Sequence, residues 1–171
     1  ITLQERISMK YYRIHTSDIA YLTQQPRGIF IAVWRLSDAK LLTDEEEEEY
    51  QRCYIENMYG YFEYGMWLVF DRTDGKLIGR AGLDNREYDG KSELELGYII
   101  APEYQGRGYA AEVCDFIIGY AWENTGYDSI SCFIEPANTK SRRLAERLGF
   151  TNSGNVIIGG NYMERWQIFN K

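Results

Sequence analysis

The sequence predicts a mixed α/β sheet with helices packed on its faces. Three observations predict it: apolar runs separated by turn signals between residues 66 and 100, two helix-period stripes interleaved with a short apolar run between 109 and 149, and a closing pair of apolar runs around a glycine turn. At 171 residues the chain is long enough for one sizeable core and short for two, so residues 1–171 are read as a single domain.

The N-terminal third, residues 1–61, is the least legible part and reads as a helical region. Gly28 to Trp34 is an apolar run that is either a buried strand or a helical turn, with helix favoured for its second half. Thr43 and Glu46 have capping-box spacing and predict a helix over 44–58. From Met66 the pattern sharpens. Met66–Phe70 and Lys76–Leu83 flank Asp74-Gly75, a hairpin signal, so two antiparallel strands are expected. Leu94, Leu96, Tyr98 and Ile100 alternate with Glu95, Gly97 and Ile99, which predicts a further strand ending at Ala101-Pro102.

After Gly108, residues Ala110, Val113, Cys114, Ile117, Ile118 and Ala121 fall on one helical stripe, ended by the stretch around Gly126. Ile130–Ile134 is a short strand. Asn138 then opens a helix whose Ser141, Leu144, Ala145 and Leu148 share a face before Gly149. Val156–Ile158, Gly159-Gly160-Asn161 and Tyr162–Phe169 read as a final hairpin. The two strand–helix crossovers imply a locally parallel strand pair, and ligands in such sheets lie at the carboxyl ends of strands.

Composition narrows the function classes. A net charge of −7 opposes binding to nucleic acid or an anionic membrane surface and favours cationic partners. The acidic run Asp44–Glu49 reads as a solvated helix face, with steering of a cationic substrate as the sharper alternative. No apolar run is long enough to cross a bilayer and no basic-then-apolar leader is visible, so a cytoplasmic location is expected. Cys53, Cys114 and Cys132 lack CxxC spacing and His15 is the single histidine, so no metal site is expected and the cysteines read as buried hydrophobes. Fifteen tyrosines suit packing in strands, a wet cleft, or the surface of a homodimer.

The segment that carries chemistry is Gln105-Gly106-Arg107-Gly108-Tyr109-Ala110, between a strand and a helix. Glycines there let successive backbone N–H groups converge on an anion at the positive end of the helix, and Arg107 can add a full charge. A phosphate-bearing ligand suits such a loop. It is neither GxxxxGK[ST] nor GxGxxG, and a plain strand-to-helix turn is the competing reading of the loop alone.

Leu94-Glu95-Leu96-Gly97-Tyr98-Ile99-Ile100 followed by Pro102 to Ala110 resembles the fourth strand and the [QR]-x-x-G-x-[GA] signature of the GNAT acetyltransferases. Asn138 and Ser141 with Leu148-Gly149-Phe150 resemble that family's following motif, N-x-x-S at a helix start and L-G-F at its end. The similarity runs over roughly residues 62–170 and is nearest to the branch of ribosomal-protein N-terminal acetyltransferases. It implies a mostly antiparallel sheet whose fourth and fifth strands splay apart around the pantetheine arm of acetyl-CoA. On this resemblance the arm pairs with Tyr98, Ile99 and Ile100, and the pyrophosphate rests on the amides of Gln105, Gly106, Arg107, Gly108, Tyr109 and Ala110. Asn138, Ser141 and Arg142 also lie near the cofactor, and Arg143 is a further candidate for its phosphates. The reaction implied is direct attack of a neutral primary amine, on a small cationic molecule or a peptide N-terminus, without an acyl-enzyme.

Proton management separates the acceptor classes. An alkyl amine of pKa near 10.4 costs about 4 to 5 kcal/mol to present neutral at pH 7, an α-amine near 8 only about 1. Glu95, on the strand beside the implied thioester, is the candidate base, with a solvated strand carboxylate as the ordinary alternative. Many family members carry a tyrosine four residues before the glycine of L-G-F to protonate the leaving thiolate. Ala145 stands there, which moves the role to Ser141 and keeps open a second class, a non-catalytic acyl-CoA-binding module. A nucleotide-binding protein is a third reading, which tighter binding of ATP than of CoA would favour.

Overall fold

The computed structural model describes residues 9–12, 53, 55–71 and 74–170. Seven strands form one sheet in the order β1-β2-β3-β4-β5-β7-β6: β1 (Met9–Tyr12), β2 (Met66–Asp71), β3 (Leu77–Tyr88), β4 (Lys91–Ile100), β5 (Ser129–Ile134), β6 (Thr151–Ile158) and β7 (Asn161–Phe169). Two α-helices follow β4 and β5: α1 (Tyr109–Asn124) and α2 (Thr139–Arg147). All neighbouring strands are antiparallel except β4 and β5, the expected parallel pair.

The mixed sheet and the element order from β2 onward follow the sequence reading, with three differences. The first is β1, four residues paired with β2 and unmarked by any local pattern. The second is that β3 runs on to Tyr88, where Asp89 (φ 50°) and Gly90 (φ 70°) turn the chain directly into β4. Two positive φ values in a two-residue loop are the turn whose twist matches flanking strands, and Asp-Gly is its preferred dipeptide. The third is that β6 starts at Thr151, through a polar and exposed stretch bulged at Asn152/Gly154. The run Gly28–Trp34, the acidic run Asp44–Glu49, His15 and most of the helix expected over 44–58 lie outside the described residues. Where that helix enters them, Ile55–Phe62 is π-helical, four residues beyond its expected end. Cys114 and Cys132 are buried as expected, whereas Cys53 is exposed.

Residues paired across β3 and β4 share a face, which sorts the sheet into two chemistries. Ala81 and Tyr98, Leu83 and Leu96, and Asn85 and Leu94 face one side, where Val113, Cys114, Ile117, Ile118 and Ala121 of α1 bury the predicted stripe against them. Each fully buried aliphatic side chain in this layer contributes about 1.5 to 3 kcal/mol. The opposite face carries Asp84 and Glu95, Arg86 and Glu93, then Ser131, Arg165 and Gln167 on β5 and β7.

Those polar groups are paired across strands. Glu93 accepts from Ser131 Oγ at 2.6 Å and from Arg165 Nε at 3.1 Å, while Gln167 Nε2 donates to Ser131 Oγ at 3.2 Å. Arg86 pairs with Glu95 and lies over the Phe133 ring, and Arg165 lies over Tyr88. Such groups add little net stability to a fold, but deleting one partner strands the other away from water and costs about 3 to 5 kcal/mol.

Candidate functional site

The site originates in how briefly β4 and β5 pair. Only Leu94↔Ile130 and Glu95↔Ser131 are in register, and beyond them the strands diverge, leaving the β4 edge from Gly97 to Ile100 without a strand on that side. β4 continues against β3 on its other edge as far as Ile100, so the divergence is β5 turning away rather than β4 ending. The gap opens into two cavities, of about 330 and about 780 Å³. Tyr98, Ile99, Asn138, Ser141 and Leu144 border both, which makes them one continuous cleft with a waist.

The larger cavity ends at the glycine loop. Pro102–Tyr104 is one 3₁₀ turn, after which Gly106 (φ 76°) and Gly108 (φ 90°) take left-handed conformations and Gly108 caps α1. A Cβ at either glycine would meet no protein atom within 4 Å, so the space beside the backbone is open to a ligand. Glu112 N–H is the first amide to be bonded back, to Gly108 O at 3.1 Å. Among the described residues the N–H groups of Gly106 to Ala111 have no protein acceptor, which is the donor array an anion needs at a helix start. Tyr109 anchors this corner by donating its hydroxyl to Asp71 at the end of β2, and Gln105 Nε2 donates to Ile100 O at 2.9 Å.

Cations reach this cavity from α2. Lys140, Arg143 and Arg147 are exposed and line it, at the i, i+3, i+7 spacing that puts them on one helical face. Lys140 Nζ also donates to Gln105 Oε1 at 3.2 Å, linking α2 to the loop. Of the three arginines expected near the cofactor, Arg143 lines this cavity and the other two are placed elsewhere. Arg107 lies over the Tyr104 ring, 5.5 Å from its centroid, and Arg142 pairs with Glu164 at 3.1 Å; neither borders the cleft. Tyr98, Ile99, Ile100, Gln105, Gly106, Gly108, Tyr109, Ala110, Asn138 and Ser141 all do. Arg143 carries a sequence signal in the basic run of α2, whereas Lys140 and Arg147 carry none, because a basic helix face reads locally as solvated.

Asn138 caps α2 through its Oδ1, which accepts from Ser141 N–H at 3.1 Å, and it borders the waist. A cap of this kind contributes about 1 kcal/mol. Ser141 then sits on the first turn, with its Oγ accepting from the Tyr98 hydroxyl at 3.0 Å across the waist. Ala145, one turn further, is buried beside the smaller cavity.

Glu95 stands on β4 where the gap begins and borders the smaller cavity. It is 7% exposed, not the half-solvated carboxylate that strand alternation alone allows. Its neighbours decide its charge. Burial raises its pKa from the usual carboxylate range to about 7, opposed by the Arg86 guanidinium and reinforced by Asp84 and Glu93. A buried carboxylate with a pKa raised toward neutrality beside a cleft is chemically suited to exchanging a proton with a ligand there. No group of side chains able to hold a metal ion occurs among the described residues, and no helix there is long and apolar enough to cross a membrane.

The chain thus has a mixed sheet splayed between its fourth and fifth strands, with a row of unbonded amides at a glycine loop at one end of the gap and a buried carboxylate at the other. The family model described as "Acetyltransferase (GNAT) domain" matches residues 15–151, and the chain belongs to that family. Bacillus subtilis YkkB, of uncharacterized function, is 26% identical over 91 residues, which span 53% of each chain, so the match reaches about half the length of that relative. The spermidine N(1)-acetyltransferase of Vibrio cholerae is 29% identical over 125 residues, 71% of this chain and 68% of that one. The solved ribosomal-protein-S5-alanine acetyltransferase of Vibrio fischeri superposes with a TM-score of 0.75 at 19% identity, over 95% of this chain and 93% of the other, and shares the fold.

Proposed function

We propose that this protein transfers the acetyl group of acetyl-CoA to a primary amine by direct attack in a ternary complex. The observation that carries the reading is the placement of Glu95, buried with a pKa near 7, at the far end of a cleft whose other end is a row of unbonded amides. On this reading the pyrophosphate meets Gly106 to Ala111, and the pantetheine arm runs past Tyr98, Ile99 and Ile100 along the unpaired β4 edge. The thioester then reaches the waist, and Glu95 takes the proton from the attacking nitrogen. Attack forms the C–N bond, the C–S bond breaks with its electron pair on sulfur, and the proton lost by nitrogen balances the thiol. Spermidine and α-amines of peptides are the two acceptor types to test, given the relatives' named substrates and the acidic balance of the chain.

Calorimetric titration with acetyl-CoA followed by a thiol-release assay over an amine panel tests the reading. Binding with release on at least one amine supports it; binding with no release on any amine points to a carrier module instead.

The position of the cations leads to a further expected result. Changing Lys140, Arg143 and Arg147 together to alanine should weaken acetyl-CoA by at least about tenfold, while acetyl-pantetheine, which lacks the nucleotide phosphates, loses little. The difference should shrink at high salt, since exposed charges are screened. Arg107→Ala should leave both ligands nearly unaffected. Equal losses for the two ligands in the triple variant would remove α2 from phosphate binding.

A further inference from the structure

The cleft has two opposed walls at its waist, β4 and α2, and one side-chain hydrogen bond joins them: Tyr98 O–H to Ser141 Oγ at 3.0 Å. Its direction matters. Because Ser141 Oγ accepts from Tyr98, the serine's own proton is turned away from that bond, and among the described residues no protein acceptor receives it. Both residues border both cavities, so the hydroxyl pair stands where the two cavities meet. The position one turn along α2, Ala145, brings no polar group to this point.

We propose that Tyr98 is a positioning residue for thiolate departure, fixing Ser141 from the opposite wall so that the serine hydroxyl donates to the sulfur leaving the acetyl group. This rests on the acetyl-transfer reading above and adds to it a residue whose backbone alone was expected to matter.

Three physical points support the assignment. A lone serine on the first turn of a helix rotates freely about its C–O bond and is prone to bond back to a helix carbonyl, so it is a poor fixed donor. Accepting from Tyr98 removes that freedom and polarises the serine O–H, which strengthens it as a donor. The Tyr98 ring is packed against the core from the α1 side, so the phenol is held while the serine is aimed. Burial also raises the Tyr98 pKa well above that of an ordinary phenol, so it remains a donor across the pH range in which amines are acetylated. Neither hydroxyl has to surrender its proton. The sulfur leaves as a thiolate stabilised by the Ser141 hydrogen bond and is neutralised by the proton released from the amine.

The test is a double-variant cycle of Tyr98→Phe and Ser141→Ala in the whole chain, with folding checked by circular dichroism. Ser141→Ala should lower kcat by about a hundredfold, the loss seen when one donor to a developing anion is removed. Tyr98→Phe, which keeps the ring, should lower kcat by about tenfold with KM for acetyl-CoA within about twofold of wild type, because the contact acts after binding. The double variant should be no slower than Ser141→Ala, since Tyr98 acts only through the serine. Losses that multiply in the double variant, or a Tyr98→Phe enzyme with wild-type kcat, overturn the inference.

Bound CoA gives a reading that needs no acceptor. The pKa of its thiol, followed by thiolate absorbance, should rise by about one unit in Tyr98→Phe and by about two in Ser141→Ala, the tenfold and hundredfold losses of thiolate stabilisation expressed as acidity. An unchanged thiol pKa in Tyr98→Phe overturns the donor pair; should that variant fail to fold, the same absence in Ser141→Ala does so. A wild-type protein that lowers the thiol pKa through this pair yet releases no thiol with any amine would overturn the acetyl-transfer reading and leave the donor pair standing.

Discussion

Replacing Glu95 with glutamine is expected to reduce kcat/KM for an alkyl amine by about 10² to 10⁴ while leaving acetyl-CoA affinity nearly unchanged. Glutamine keeps a carbonyl oxygen to accept from Arg86, so the loss of a base is separated from the collapse of the pair. The sign of the pH dependence follows from the raised pKa. In wild type the group is a carboxylic acid below about 7 and a base above it, so kcat/KM should climb through that pH and then level. The glutamine variant should lack this limb and recover part of its rate only at higher pH, where solvent takes over deprotonation. An α-amine acceptor, needing only about 1 kcal/mol to be neutral at pH 7, should suffer far less from the same change. If Glu95 merely attracts a cationic acceptor, the variant should raise KM in a salt-dependent way with kcat intact. Superimposable pH–rate profiles for the two proteins would take Glu95 out of the mechanism.

Gly108→Val should abolish measurable acetyl-CoA binding while most of the fold survives. Two effects add. Gly108 sits at φ 90°, where a β-branched residue is strained by roughly 1 to 3 kcal/mol, so the start of α1 should shift or loosen. The new side chain would also occupy space that no protein atom fills and that borders the larger cavity, in the path proposed above for the phosphates. The strain alone is a fraction of a typical domain's stability, so a folded variant is expected, and the binding assay on that folded material is decisive. Wild-type affinity in it would remove the loop from the site.

The parts of this site legible in the sequence were those where local chemistry and tertiary placement agree. Gly106 and Gly108 announce an open backbone, Asn138 announces a helix start, and the stripe from Val113 to Ala121 announces which side of α1 is buried; each is enforced within a few residues. What was not legible depends on partners far along the chain. Nothing near Glu95 tells a half-solvated strand carboxylate from a buried one, because the difference is made by Arg86 across a hairpin and by the layers that close over it. The charged stretch from Asp84 to Tyr88 does not read as strand, since its stabilising pairs lie on β4 and on neighbouring side chains. The Asp89-Gly90 turn did carry a local signal, one masked by the polarity of its flanks. For Arg107 against Lys140, Arg143 and Arg147, composition shows that cations are present, but only the direction of each side chain decides which of them face the cleft.

The cross-strand cluster of Glu93, Ser131, Arg165 and Gln167 bears on how tightly a long, flexible ligand can be held. It rivets β4, β5 and β7 together at the closed end of the wedge, through groups that are mostly shielded from water. The open end therefore keeps its shape without a ligand to prop it apart, and no binding energy is diverted into separating the two strands. The entropy lost on association then falls mainly on the ligand, whose many rotatable bonds must freeze as it enters the slot. In this arrangement the protein is the rigid partner, and differences in affinity among acyl carriers should follow the stiffness of the carrier's arm more than any rearrangement of the sheet.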